Sequence, residues 1–215
     1  MAREDTTRMA PGAVSRRSLR CSMNIDKGSV LVLGKSRLVL DEAVAGLRNL
    51  GYRAEGTNDF ADVTARFDTR EIDLVVFGGQ VPPDRKAELR EEIGAVNPQV
   101  IFVQGLAGIP GLIINQIEGA FAADEQQAIA APTFTPDDRT IRFTLTRPAR
   151  VEVTAWWQTS FVPPHPRSDS LQLLDDRLPA GEHTLTVPGQ VPTKAAFATV
   201  HIDAAIAAFS ITTDQ

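Results

Sequence analysis

Two periods divide the chain. From Ser29 to Phe121, short apolar runs alternate with stretches in which apolar residues recur every three or four positions; beyond about residue 140 the spacing drops to two. Val30-Leu31-Val32-Leu33 is a continuous apolar run closed by Gly34, the pattern of a strand buried on both faces. Leu40, Val44 and Leu47 then fall at helical spacing, with Leu50 extending the face and Gly51 in the position that follows a helix end. Tyr52 to Gly56 predicts a second strand, and Asp59 is placed to cap a helix that turns Val63 and Phe67 inward. Asp73-Leu74-Val75-Val76-Phe77 predicts a third strand, ending at Gly78-Gly79. Pro82 and Pro83 open a helix that would bury Leu89, Ile93 and Val96 beneath a charged outer face. After Asn97-Pro98, Val100-Ile101-Phe102-Val103 predicts a fourth strand. Strands alternating with helices at this interval imply a parallel sheet linked by crossovers.

The segment 109–121 carries Leu112, Ile113, Ile114, Ile117 and Phe121, apolar on more than one face. Such a helix has to be covered on two sides, either by the second half of the chain or by a second copy in a homodimer. Residues 122–136 are rich in alanine, glutamine and acids and read as a linker. Beyond them Ile141, Phe143 and Leu145 alternate with Arg142, Thr144 and Thr146. Val151, Val153, Ala155 and Trp157 alternate with polar neighbours and with Trp156. Further strands are expected from Leu171, at 183–187, at 196–202 and at 206–211, which gives a β-sandwich of about six strands. The expected organisation is therefore a tail at 1–26, an α/β domain at 27–121, a linker at 122–136 and an all-β sandwich at 137–215. The tail's arginines suit a targeting peptide, Glu4 and Asp5 count against one, and Met23 is an alternative start.

Composition narrows the function more than the fold. A net charge of −5 over 215 residues argues against a general nucleic-acid binder, and no run of 18 apolar residues exists to span a membrane. Cys21 is the only cysteine, so neither an internal disulfide nor a multi-thiolate zinc site can form. His165, His183 and His201 are expected on the surface or in loops, with no metal among them. The expected location is cytoplasmic.

The α/β segment resembles a response-regulator receiver domain, a flavodoxin-like fold. The likeness rests on the order of elements, on Leu50-Gly51-Tyr52, on Asp73 to Phe77 followed by Pro82, and on Asn97-Pro98-Gln99-Val100. That resemblance implies an acidic pair after the first strand, a phospho-accepting aspartate after the third and a hydroxyl residue after the fourth. This chain has Gly34 and Lys35, then Gly78, then Gln104 or Gly105, and no fifth strand and helix are evident. Magnesium needs hard oxygen ligands and phosphoryl transfer needs an acceptor oxygen, so the resemblance implies a pseudo-receiver. The segment from about Thr140 to Thr212 resembles the immunoglobulin-like module of flagellar hook-capping and related bacterial proteins. Its carriers are Ile141 to Leu145, Pro148 to Val153 and Leu178-Pro179-Ala180-Gly181-Glu182-His183. That module implies a spacer or docking surface.

Gly34-Lys35-Ser36 has the ending of a phosphate-binding P-loop, but the required glycine five residues earlier is Ser29. The strand-turn-helix at Gly34 and the pair Gly78-Gly79 also suit half of a dinucleotide fold. Against it, Arg37, Leu38, Val39 and Leu40 stand where glycines should let a pyrophosphate approach. The acidic pairs Asp41-Glu42, Asp137-Asp138 and Asp175-Asp176 sit at expected helix starts and turns. Trp156 is expected to face outward, shielded by the loop bearing Phe161 and His165 or forming a partner patch with them. The expected function is a non-catalytic interaction or regulatory scaffold with a protein partner and no cofactor. The interaction candidates are Trp156, Phe161, His165, Ile113 and Ile117. The alternative is a nucleotide or dinucleotide binder, with a dehydrogenase-like activity as the enzymatic version, built on Gly34, Lys35, Ser36, Gly78 and Gly79.

Overall fold

The computed structural model describes residues 27–123, 131–160 and 167–213. The predicted tail with Cys21 and Met23, much of the predicted linker, and the candidates Phe161 and His165 lie outside the described residues. Four parallel strands form the first sheet: β1 (Ser29–Leu33), β2 (Arg53–Thr57), β3 (Leu74–Phe77) and β4 (Ile101–Gln104), in the order β2-β1-β3-β4. Among the described residues four helices join or follow them: α1 (Arg37–Asn49), α2 (Val63–Arg66), α3 (Pro83–Val96) and α4 (Pro110–Phe121). Alternation along the strands feeds both faces of the sheet. Val30, Val32, Leu74 and Val76 pack with α1 and α4, whereas Leu31, Leu33, Val75 and Phe77 pack toward α2 and α3. The apolar runs of β1 and β3 exist because these central strands are covered on both faces.

Several local expectations change. Leu50 does not extend the buried face of α1; it sits past the last turn and is exposed, while Val39 and Ala43 fill the face instead. Asp59 caps no helix: its Oδ1 accepts the N–H of Ala61 in a local turn, and α2 is a single turn that begins after Asp62. Val96 is exposed at the end of α3, because Asn97 stops the helix before that face returns to the sheet.

Seven antiparallel strands follow: β5 (Thr133–Thr135), β6 (Thr140–Leu145), β7 (Ala149–Ser160), β8 (Arg167–Leu178), β9 (Gly181–Thr186), β10 (Ala196–Ile202) and β11 (Ala205–Ser210). They make two sheets, β11-β10-β7-β8 and β5-β6-β9. β5 lies inside the predicted linker, where Phe134 pairs with Ile141 and packs on the core, so the regular structure starts before residue 137. Ile141, Phe143 and Leu145 from one sheet meet Val151, Val153, Ala155, Ala198 and Val200 from the other. That is the period of two read from the sequence.

α4 joins the two halves. Leu112, Ile113 and Ile117 are buried, and the helix packs on α1 along one side and on β11 along another. Burying each of these side chains stabilises the fold by about 1.5–3 kcal/mol. The two-sided apolar pattern is therefore answered within the chain. Ile113 and Ile117 are interior residues of the α/β core rather than surface for a second copy. At Gly111 on α4 the halves approach closely, since a Cβ there would lie 2.5 Å from Cζ3 and 2.6 Å from Cη2 of Trp156. Gly111→Ala should destabilise the protein by about 1–3 kcal/mol through overpacking, measured by urea denaturation; an unchanged midpoint would show that the seam is loose.

Candidate functional site

Three of the four parallel strands, β1, β3 and β4, are followed directly by glycine. Leu33 pairs with Phe77, and Phe77 with Gln104, so Gly34, Gly78 and Gly105 follow in one row across the sheet's C-terminal edge. The row is tightly closed. Gly34 donates its N–H to Thr57 O (3.1 Å), Gly78 to Leu33 O (2.7 Å) and Gly105 to Phe77 O (2.9 Å). A Cβ at Gly78 would stand 2.9 Å from Leu33 O, and one at Gly105 would stand 3.3 Å from Phe77 O. Backbone thus closes position 78 to a side chain and crowds position 105, whereas a Cβ at Gly34 would meet only the Leu40 side chain, at 3.4 Å.

Above this floor opens a cleft of about 690 Å³, between the β1–α1 and β3–α3 loops and the β4–α4 loop. It lies where the connections leaving β1 and β3 diverge to opposite ends of the sheet, which is where open parallel sheets bind ligands. Its walls include Leu38, Val39, Leu40, Ala107 and Ile113, and its polar groups come from Lys35, Ser36, Arg37, Gln80 and Gln158. None of the lining residues is acidic. Lys35 and Arg37 are exposed and ion-pair with no described residue. Ser36 precedes α1 without a side-chain cap bond, and the first turn of α1 carries no acid. Gln104, the last residue of β4, turns away to donate its amide to Phe77 O and Gly105 O.

Gly34, Lys35, Ser36, Gly78 and Gly79 all line this cleft. Sequence reasoning missed Gly108 and Gln158. A Cβ at Gly108 would lie 3.7 Å from Gln158 Nε2, so the sandwich contributes a side chain to the cleft wall. Alternation along β7 carried the only signal, because Gln158 shares a strand face with Trp156.

The chain matches no protein-family model. No curated protein matches it in sequence either. Its chemistry therefore has to be read from the side chains. Among the described residues no group of three or more His, Cys, Asp or Glu could hold a metal ion, and no helix is long and apolar enough to cross a membrane.

Beside the cleft lies the seam between α4 and the sandwich. Trp156 is half-buried there, its ring against Gly111 and its indole N–H donated to Thr199 Oγ1 at 3.0 Å. Its apolar surface is thus used inside the chain, against α4, while the loop bearing Phe161 and His165 lies outside the described residues. His201 also departs from the surface position expected of it. It is half-buried, and its Nε2–H donates to Asn115 Oδ1, whose own amide donates to Gly111 O. Because Oδ1 only accepts, Nε2 carries the hydrogen in neutral His201. Burial pushes the His201 pKa down from 6.5, against the opposing pull of Glu152 and Glu118. A lowered folded pKa means that the unfolded chain binds more protons just below pH 6.5, so stability falls as the pH drops through that value. Thermal midpoints of the native chain and of His201→Gln, compared from about pH 7.5 to about pH 5.5, should show a steeper loss in the native chain. Parallel curves would show that His201 titrates alike folded and unfolded.

Proposed function

We propose that this protein is a non-catalytic regulatory or interaction scaffold. Its α/β half is a flavodoxin-like pseudo-receiver that takes no phosphoryl group by the usual route, and its second half is an immunoglobulin-like module. The observation that carries the reading is the row Gly34, Gly78 and Gly105 with Lys35 beside it. A receiver's chemistry needs carboxylates to hold magnesium and one to accept the phosphoryl group. At the corresponding strand ends this chain has backbone and an ammonium. The strand order β2-β1-β3-β4 supports the flavodoxin-like assignment, and the pair of antiparallel sheets with a shared core supports the sandwich assignment. α4 lends a scaffold its rigidity, because it is packed by both halves.

The acceptor position is also closed sterically. Restoring an aspartate at 78 would push its Cβ against Leu33 O, which is backbone and cannot swing aside. Incubating the full chain with acetyl phosphate and magnesium, then measuring intact mass, should show no phosphoryl adduct. Gly78→Asp should also stay unmodified and lose about 1–3 kcal/mol of stability in urea. An adduct on the native chain would overturn the reading.

A further inference from the structure

The cleft over the glycine row is too large and too specifically lined to be only the remnant of a lost metal pocket. We propose that it binds a mononucleotide: the phosphate lies at the Lys35–Arg37 end, and the base lies flat on the backbone floor of Gly34, Gly78 and Gly105, beneath Gln158.

Four features lead to that ligand class. The volume, about 690 Å³, falls within the range of roughly 300–1,000 Å³ typical of sites that bury a small organic molecule and far exceeds what a bare phosphate fills. Gly34, Gly78 and Gly105 line the floor with backbone and no side chains, which offers a planar ring a surface of peptide groups. Charge is confined to one end: Lys35 and Arg37 are the lining cations, no acid opposes them, and the opening turn of α1 adds its N–H groups in the same direction. The remaining walls are apolar, apart from the amides of Gln80 and Gln158, which offer donors and acceptors suited to the polar edge of a heterocycle. Two cations without a metal-binding carboxylate match a monophosphate better than a triphosphate, which carries more charge and travels with magnesium.

Gln158 gives the site a consequence for the scaffold. It belongs to β7, while Lys35, Gly78 and Gly108 belong to the α/β half, so an occupant touches both halves at once. The assignment does not depend on receiver resemblance. A phosphoryl adduct would sink the scaffold reading and leave this cleft untouched, and failure to bind nucleotide would do the reverse.

The test uses the full chain in calorimetric titrations without metal. AMP, GMP, CMP and UMP are each titrated, with inorganic phosphate and adenosine as separate arms. At least one mononucleotide should bind once per chain, about tenfold or more tighter than phosphate or adenosine. Lys35→Glu with Arg37→Glu should weaken it by about tenfold or more, and Gln158→Ala by a few-fold. Gly79→Phe should abolish binding by filling the cleft. A Cβ at Gly79 meets nothing within 4 Å, so that variant should keep its thermal midpoint. No saturable binding of any of the four at millimolar concentration would overturn the proposal. So would phosphate binding as tightly as the nucleotides, or undiminished binding in a folded Gly79→Phe.

Discussion

One helix sets the terms for the rest of the molecule. α4 is apolar around more of its circumference than a surface helix can be, and water is the one neighbour it cannot accept on either long side. Ile113 and Ile117 satisfy the side that faces the parallel sheet, and β11 covers another. Losing either cover would expose apolar area worth several kcal/mol, a large part of a typical domain's net stability of about 5–15 kcal/mol. The two halves of this chain are therefore not independent beads. The outer face of the β10–β7 pair is covered as well as its inner face, which accounts for a threonine as buried as Thr199 and a tryptophan placed opposite a glycine.

Packing at the strand ends is equally restrictive, with a different outcome. β1, β3 and β4 continue their hydrogen bonding one residue beyond the strand ends, through Gly34, Gly78 and Gly105. A side chain at the central position would strike a carbonyl oxygen, so the tight closure and the absence of a carboxylate there are one fact seen from two directions. What remains is a flat polar floor with cations at one end. A surface of that kind can hold a ligand by shape and charge, and no acidic residue lines it.

Much of this was legible in the sequence, because burial on both sheet faces leaves an unbroken apolar run and burial on one face leaves alternation. Val30 to Leu33, Leu74 to Phe77 and Ile141 to Leu145 are all read correctly on that ground. The three strand-end glycines were visible one by one, but their alignment depends on register, which spacing does not give. Errors gathered where local pattern and tertiary packing disagree. Leu50 and Val96 keep the helical period but lie beyond the turn at which their helices leave the core. β5 was hidden by its length of three residues. Trp156 and His201 occupy outward positions on their strands, and only the docking of α4 decides that outward does not mean exposed.

The seam and the cleft have a common origin. Trp156 and Gln158 stand two residues apart on one face of β7, and Gly111 and Gly108 stand three apart at the start of α4. The same pair of segments that presses the indole onto Gly111 brings the Gln158 amide beside Gly108. The cleft wall is thus complete only when the seam is closed. Any group occupying the cleft would touch Gln158 in that arrangement, and by mass action it would favour the closed seam over an open one. Occupancy of the cleft would thereby read out as the strength of the joint between the two halves.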